Sequence, residues 1–347
     1  MKKFGFLSFG HYAPPGRQGM TARQALQDTV ELARQADAIG VNGAYVRVHH
    51  FAPQFASPIA LLGAMASVTS HIEVGTGVVD MRYTNPLQLA EDVAALDLLS
   101  DGRLAFGVSR GSPEPADRGW RAFGYESEAA NGSDLARTHF QRFISALRGD
   151  PMALAASLEE QYPQMYPPAS PLAVLPHSEG AARRVWWGAG TFASAEQAAR
   201  NGVNLMSSTL ISEADGRSLG ELQAEQIQHY REAWAAAGHD WEPRISVSRS
   251  IFPIVDEDTE RLFGLLDTEE QIGQIERGVY TTFGKTYAAE ADQLIEELGN
   301  DPAIQAADTL MLTVPNQAGV DVCMQILRGF AEHVAPALGW EPANAAS

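Results

Sequence analysis

Three short stretches of this chain carry side chains whose types and spacing could do chemistry. The first is Arg47-Val48-His49-His50-Phe51, at the end of an apolar run. A histidine titrates near neutrality and can pass a proton at working pH. Adjacent side chains on an extended segment point to opposite sides, so at most one of His49 and His50 is expected to face a shared cleft. Neighbouring histidines are a weak metal signal, and two structural histidines at a loop start would look the same. The second stretch is Ser109-Arg110-Gly111-Ser112. It offers a bidentate cation followed by an unobstructed backbone amide, a pairing suited to phosphate; an arginine paired with a carboxylate at a rim is the alternative. The third is Gly188-Ala189-Gly190-Thr191-Phe192-Ala193-Ser194-Ala195-Glu196-Gln197, a glycine-rich turn entering a helix. Ser194 with Gln197 reads as a capping box, and the amides at such a helix start form an anion site; an ordinary capped helix is the alternative. The spacing is not GxGxxG, and no acid stands at the ribose position of a dinucleotide fold. GxSxG, HExxH and GxxxxGK[ST] are also missing, so hydrolase, zincin and P-loop readings lack support. Asp80, Glu91, Asp92 and Asp97 read most simply as helix-flanking or pairing groups.

Elements that would position these residues alternate along the whole chain. Apolar runs suited to buried parallel strands occur at Lys3–Phe9, Gly43–Val48, Ile72–Val79, Leu104–Val108, Val185–Trp187, Val203–Ser207, Ile245–Val255 and Thr309–Val314. Helical patterns separate them. One opens at Thr21 with Gln24 three residues later, presents Leu26, Val30 and Ala33 on one face and stops at Gly40. Another is capped by Asn85, has Pro86 in its first turn and ends before Gly102. These β/α units predict a TIM (β/α)8 barrel with its site at the C-terminal ends of the strands, in one domain over residues 1–347. Two insertions at those ends, about 112–184 (with a helix near Asp134–Leu147) and 256–287, are long enough to form substrate walls or a lid.

Composition narrows the function classes. The 347 residues are 45% hydrophobic and 20% charged, which suits a chain with a large core. With 25 Lys and Arg against 43 Asp and Glu, the net charge is −18, so nucleic acid and anionic membrane surfaces are poor partners. The single cysteine, Cys323, excludes an internal disulfide and a thiolate zinc site. No run approaches the roughly 20 apolar residues of a membrane span, and the N-terminal apolar stretch is too short for a signal peptide, so a cytoplasmic location is expected.

Taken together, these segments resemble the bacterial luciferase-like family of flavin-dependent monooxygenases over nearly the whole chain, most closely an FMN-dependent subgroup of undefined substrate. The resemblance rests on Arg47-Val48-His49-His50-Phe51, Val74-Gly75-Thr76-Gly77-Val78-Val79, Asn85-Pro86-Leu87-Gln88-Leu89-Ala90-Glu91-Asp92-Val93, Leu96–Arg103 with Phe106–Gly111, Phe123-Gly124 and the stretch around Trp186–Gly202. It implies that reduced FMN, supplied by a separate flavin reductase, reacts with O2 to a C4a-peroxyflavin that oxygenates a small organic substrate. His49 then corresponds to the catalytic histidine. Ser109, Arg110, Gly111, Gly190, Thr191, Ser194 and Ala195 would bind the cofactor, with Gly77-Val78 matching a bulged, often cis, peptide beneath the flavin ring; no metal is implied. His11, Tyr12, Met81, Trp120, Trp187 and Phe252 are candidate walls. The resemblance also implies a homodimer, through the helices after strands two and three. Val48 replaces an acidic residue of luciferase and Ser109 its reactive cysteine, so light emission does not transfer. Two alternatives remain. An F420-dependent hydride-transfer enzyme would need a second basic patch, which Arg82, Arg118 and Arg121 could supply; a non-catalytic flavin-binding subunit would not need His49.

Overall fold

Short apolar runs of β-branched and aromatic residues cannot bury both faces alone, and here they pair side by side. The computed structural model describes residues 2–213, 215–266, 269, 271–276 and 279–345. Its central strands are β1 (Lys3–Ser8), β2 (Gly43–Val46), β3 (Glu73–Asp80), β4 (Leu104–Ser109), β5 (Val185–Ala189), β6 (Asn204–Ser207), β7 (Ile245–Ile254) and β8 (Thr309–Val314). All pair in parallel in that order, β7 meets both β6 (Ile245 with Leu205) and β8 (Ser246 with Thr309), and β8 meets β1. The sheet therefore closes into the eight-stranded barrel expected from the sequence.

Between the strands run α1 (Ala22–Ala38), α2 (Pro58–Ser67), α3 (Pro86–Leu99), α4 (Ser133–Leu147), α5 (Phe192–Asn201), α6 (Leu219–Ala237), α7 (Glu257–Phe263), α8 (Ala291–Gly299), α9 (Pro302–Ala306) and α10 (Val320–Gly329). Thr21 and Gln24 form the anticipated capping box of α1, and the Asn85 side chain accepts from the amides of Leu87 and Gln88 at the start of α3. Two details differ from the sequence reading. The packing face of α1 is Ala25, Leu32, Ala33 and Ala36, while Leu26 is 42% exposed, because the barrel takes the stripe one position away. The capping box of α5 is Thr191 with Ser194, not Ser194 with Gln197: the helix starts one turn earlier, where the Thr191 hydroxyl accepts from the Ser194 amide.

Two apolar layers form. The outer one lies between strands and helices, and the inner one fills the barrel with Leu7, Tyr45, Ala105, Trp186, Met206 and Met311, drawn from six different strands. A Cβ on Gly75 would stand 2.2 Å from the Ala105 carbonyl and 2.9 Å from the Tyr45 ring, so only glycine leaves room for that ring inside the barrel. At the opposite face from the strand ends, Arg244 donates to both oxygens of Glu73 at 2.6 and 2.8 Å and lies over the Trp186 ring. Asp37, at the end of α1, accepts from the amides of Ser70, His71 and Ile72, which pins the entry to β3.

The insertions sit where the strands end. Residues 112–184 carry a 3-10 turn at Gly119–Phe123, helix α4 and a small ladder of Ala153–Leu154 with Pro171–Leu172. The segment after β7 holds α7, a strand pair at Gln271–Glu276 and Val279–Phe283, and Thr286–Glu290 along the end of β7; Thr282 and Phe283 pair with Leu210–Ile211 in the loop after β6.

Candidate active site

The strand ends surround a cleft of about 760 Å³, within the size range of small-molecule and cofactor sites. Its floor is apolar, from the upper inner layer: Leu7, Val78, Met206 and Met311. Trp187 closes one flank, packed edge-on to Phe140 of α4 at 4.8 Å. The Gly77-Val78 peptide is cis, and the register between β3 and β4 shifts between Thr76 and Val79, so the expected bulge is present and faces the cleft. A Cβ on Gly188 would approach the Val78 side chain to 3.0 Å, so the bare backbone of β5 keeps this part of the floor low.

One end of the cleft is cationic. Arg110, Arg137 of α4, Thr191 and Ser194 line it. Here Thr191 and Ser194 exchange hydrogen bonds, with the Ser194 amide on the Thr191 hydroxyl at 3.2 Å and the Thr191 hydroxyl on Ser194 Oγ at 3.0 Å. The first amide of α5 is already engaged: Phe192 N–H donates to the Glu213 carboxylate at 3.1 Å. Burial raises the Glu213 pKa, and that amide only partly opposes it. The helix N-terminus is thus already shared with an acid, and Arg110 and Arg137 add positive charge to the same lining. Gln226, fully buried on α6, donates to the carbonyls of Ala189 and Thr191 and accepts from Ser207, locking the ends of β5 and β6 together.

A buried ion pair sets the loop after β4. Arg82 donates to Asp80, to the Ser112 carbonyl at 2.8 Å and to the Asn131 carbonyl at 3.0 Å. Burial pushes the Asp80 pKa up, against the pull of Arg82. Gly111 lies directly against this pair at φ +88°, where a Cβ would come 1.9 Å from Asp80 Oδ2, so no other residue fits. Its amide donates to Ser109 Oγ at 2.8 Å.

The other end holds His49. Its Nδ1 lies 3.0 Å from Glu114, whose side chain is 3% exposed. Arg47, Val48 and His49 all line the cleft, Val48 with its side chain almost wholly buried. His50 turns away and stacks on Tyr83 at 4.2 Å, and burial there holds its pKa below the usual value. The two histidines therefore part, one to the cleft and one to the rings of Tyr83 and Phe123.

Of the cofactor residues expected from the sequence, Gly77, Val78, Ser109, Arg110, Gly111, Gly190, Thr191 and Ser194 line this one cleft with His49. Ala195 does not: its side chain is wholly buried in the core and its amide bonds to the Thr191 carbonyl within the helix. Among the candidate walls, Trp187 lines the cleft; Met81 is buried in the core, Phe252 packs on Phe263, and Trp120 lies against the guanidinium of Arg82. His11 stacks on Phe9 and contacts Gln54, and Tyr12 packs against the outer core, neither among the cleft residues. Among the charged residues of the cleft, the sequence reading assigned no site role to Arg47, Arg137 and Glu114. Arg47 stands two positions before His49, a period-two signal that was legible. Arg137 shares a helical stripe with Ser133, Phe140 and Gln141. Glu114 gave no periodic signal; only its place between Pro113 and Pro115 marks it.

These residues fit an FMN. A glycine-floored apolar slot lies beside a cationic end of the charge and hydrogen-bonding type a phosphate dianion needs, and a histidine with a buried carboxylate partner stands at the other end. Among the described residues no group of three or more His, Cys, Asp or Glu could hold a metal ion, and no helix is long and apolar enough to cross a membrane.

Comparison with known proteins agrees with the geometry. The family model described as luciferase-like monooxygenase matches residues 4–266. The oxygenase component of a flavin-dependent trigonelline monooxygenase from Acinetobacter baylyi is 33% identical over 97 residues, 26% of this chain and 26% of that protein. Matches to such curated relatives span well under half of their own length. Solved structures match along the full fold. The oxygenating constituent of 3,6-diketocamphane monooxygenase from Pseudomonas putida, in complex with FMN, superposes with a TM-score of 0.67 at 18% identity, covering 97% of this chain and 98% of that one. An F420-dependent secondary alcohol dehydrogenase superposes with a TM-score of 0.63 at 16% identity, covering 97% and 99%.

Proposed function

This chain belongs to the luciferase-like monooxygenase family, and we propose that it is the oxygenase of a two-component system, taking reduced FMN from a separate flavin reductase and using O2 to oxygenate a small organic substrate. The observation that carries this reading is the make-up of the cleft: cations and hydroxyls from the segments after β4 and β5, a histidine from the segment after β2 paired with a buried carboxylate, and an apolar floor of Leu7, Val78, Met206 and Met311. The chain has no dinucleotide fingerprint of its own, which motivates the reductase.

Reduced FMN, when bound, supplies the electron pair that activates O2. The chain supplies everything else. Arg110 and Arg137, with the hydroxyls of Thr191 and Ser194, would hold the phosphate, and charge-assisted contacts of this kind offset the net charge of −18 locally. Val78 and the glycines at 77 and 188 leave space for a planar ring. Glu114 holds His49 Nδ1 and so orients the imidazole, which leaves Nε2 to exchange a proton with whatever occupies the cleft. Leu7, Met206, Met311 and Trp187 keep the reacting region dry, which protects it from uncoupled hydrolysis.

The F420 reading gains little from the basic patch it would need. Arg82 is committed to Asp80 and Arg121 to Glu126, and Arg82 and Arg118 line a smaller pocket of about 210 Å³ that adjoins the cleft at Arg110–Glu114 instead of lining the cleft itself. A non-catalytic role leaves the His49–Glu114 pair without a purpose. The test is an equilibrium titration with oxidised FMN, reduced FMN and F420, followed by rapid mixing of the tightest reduced complex with O2. We expect reduced FMN to bind most tightly and to reoxidise through a transient absorbance distinct from both end states. Preference for F420 without reaction with O2 would replace this reading with hydride transfer.

A further inference from the structure

Arg47 is a cleft residue that the flavin reading leaves without a task. Its half-buried guanidinium lies over the Phe9 ring at 4.9 Å, and both residues line the cleft. Among the described residues it has no hydrogen-bond partner and no carboxylate within ion-pairing distance, and none of its nitrogens is sealed away from solvent. Glu114, the acid whose charge bears on it, is already committed to His49. Burial costs the guanidinium solvation, yet an arginine stays charged in any such setting. A cation held half-buried at a cleft wall with its donors open is what a planar anion needs, because two parallel N–H groups match the two oxygens of a carboxylate.

Its place in the barrel separates it from the phosphate end. Arg47 follows β2, whereas Thr191 and Ser194 follow β5, and it lines the cleft beside His49, which comes two residues later in the same segment. We propose that Arg47 is the substrate anchor and that the substrate is a small organic acid, its carboxylate on Arg47 and its apolar body along Phe9 and Leu7, within reach of His49. The assignment rests on the oxygenase reading for the word substrate, while the anion site itself does not depend on it.

The test pairs carboxylates with their uncharged amides: benzoate against benzamide and hexanoate against hexanamide. Binding is read twice, as a change in the absorbance of bound FMN and as a rise in the melting temperature of the flavin-free protein. At least one acid is expected to bind ten times or more tighter than its amide, and Arg47→Met to abolish that preference while FMN affinity stays within threefold. Arg47→Lys, which keeps the charge but loses the fork, should retain part of it. Equal binding of every acid and its amide, or an acid preference undiminished in Arg47→Met, would overturn the proposal. So would a loss of FMN affinity in Arg47→Met with acid binding intact, which would give the arginine to the cofactor. Failure of FMN to bind the wild-type protein, with acid preference still seen in the melting curves, would sink the oxygenase reading and leave the anion site standing.

Discussion

The two ends of the cleft are built from different kinds of structure. At the Arg110 end the functional groups sit on or beside regular elements: Arg110 just past β4, Arg137 within α4, Thr191 capping α5 and Ser194 in its first turn. Buried Gln226 and the Asp80–Arg82 pair then lock those termini from behind. At the His49 end the groups come from loops after β2 and β4, and the contact that defines it, His49 to Glu114, joins residues 65 apart. In the proposed function the first end would bind through preset backbone and caps. The second works by orienting one imidazole, so it should be the end where small changes cost activity while leaving affinity alone.

The sharpest way to break this division is His49→Gln. Substrate-dependent O2 consumption should fall by about 100-fold or more, the scale of a lost general acid or base, while reduced-FMN affinity changes little; a parallel loss of affinity would merge the two ends. Glu114→Gln should repeat the loss more weakly, roughly tenfold in kcat with KM for FMN unchanged, since it removes only the orienting charge. On the other side, Arg110→Met should weaken FMN by about tenfold through the lost charge-assisted contact and leave riboflavin, which lacks the phosphate, unaffected in a fluorescence titration. Equal loss for both flavins would move Arg110 off the phosphate. Glu213→Gln should strengthen FMN by about threefold, on the scale of a helix-terminus charge, because it removes the carboxylate on the Phe192 amide.

The smallest expected effect concerns stability. Burial holds both His50 and His11 below 6.5 in the folded chain, with neighbouring charges, Arg47 and His49 for His11, adding to it at the latter. A ring kept neutral when folded protonates more readily once unfolded, so its contribution is whole above pH 6.5 and shrinks as the pH falls below it. Melting temperature should therefore decline between pH 7.5 and 5.5, and His50→Asn should flatten that slope. A slope unchanged by the substitution would place the acid sensitivity elsewhere.

Much of this molecule was legible in one dimension. Strand runs, helix caps at Thr21 and Asn85, and glycines at 77, 111 and 190 are local signals, because hydrogen-bonding caps and backbone freedom act between near neighbours. That only one of His49 and His50 faces the cleft is legible from their adjacency, whereas the choice of His49 comes from the family resemblance. The start of α5 could not be placed to a turn, since Thr191 and Ser194 are both competent caps and only the approach of Glu213 and Gln226 selects between them. Nor could the place of Ala195, which follows cleft-lining Ser194 while its own side chain packs inward.

By itself the sequence determined the barrel, the positions of its strand ends and the residue types gathered there, because periodic burial and local capping are written in adjacent residues. Tertiary structure alone decided which carboxylate meets His49, which arginine of α4 joins Arg110, and that the Arg47 guanidinium has no hydrogen-bond or ion-pair partner among the described residues. Those facts depend on loops from separate strands converging over one barrel mouth, and no local rule carries the distance between them.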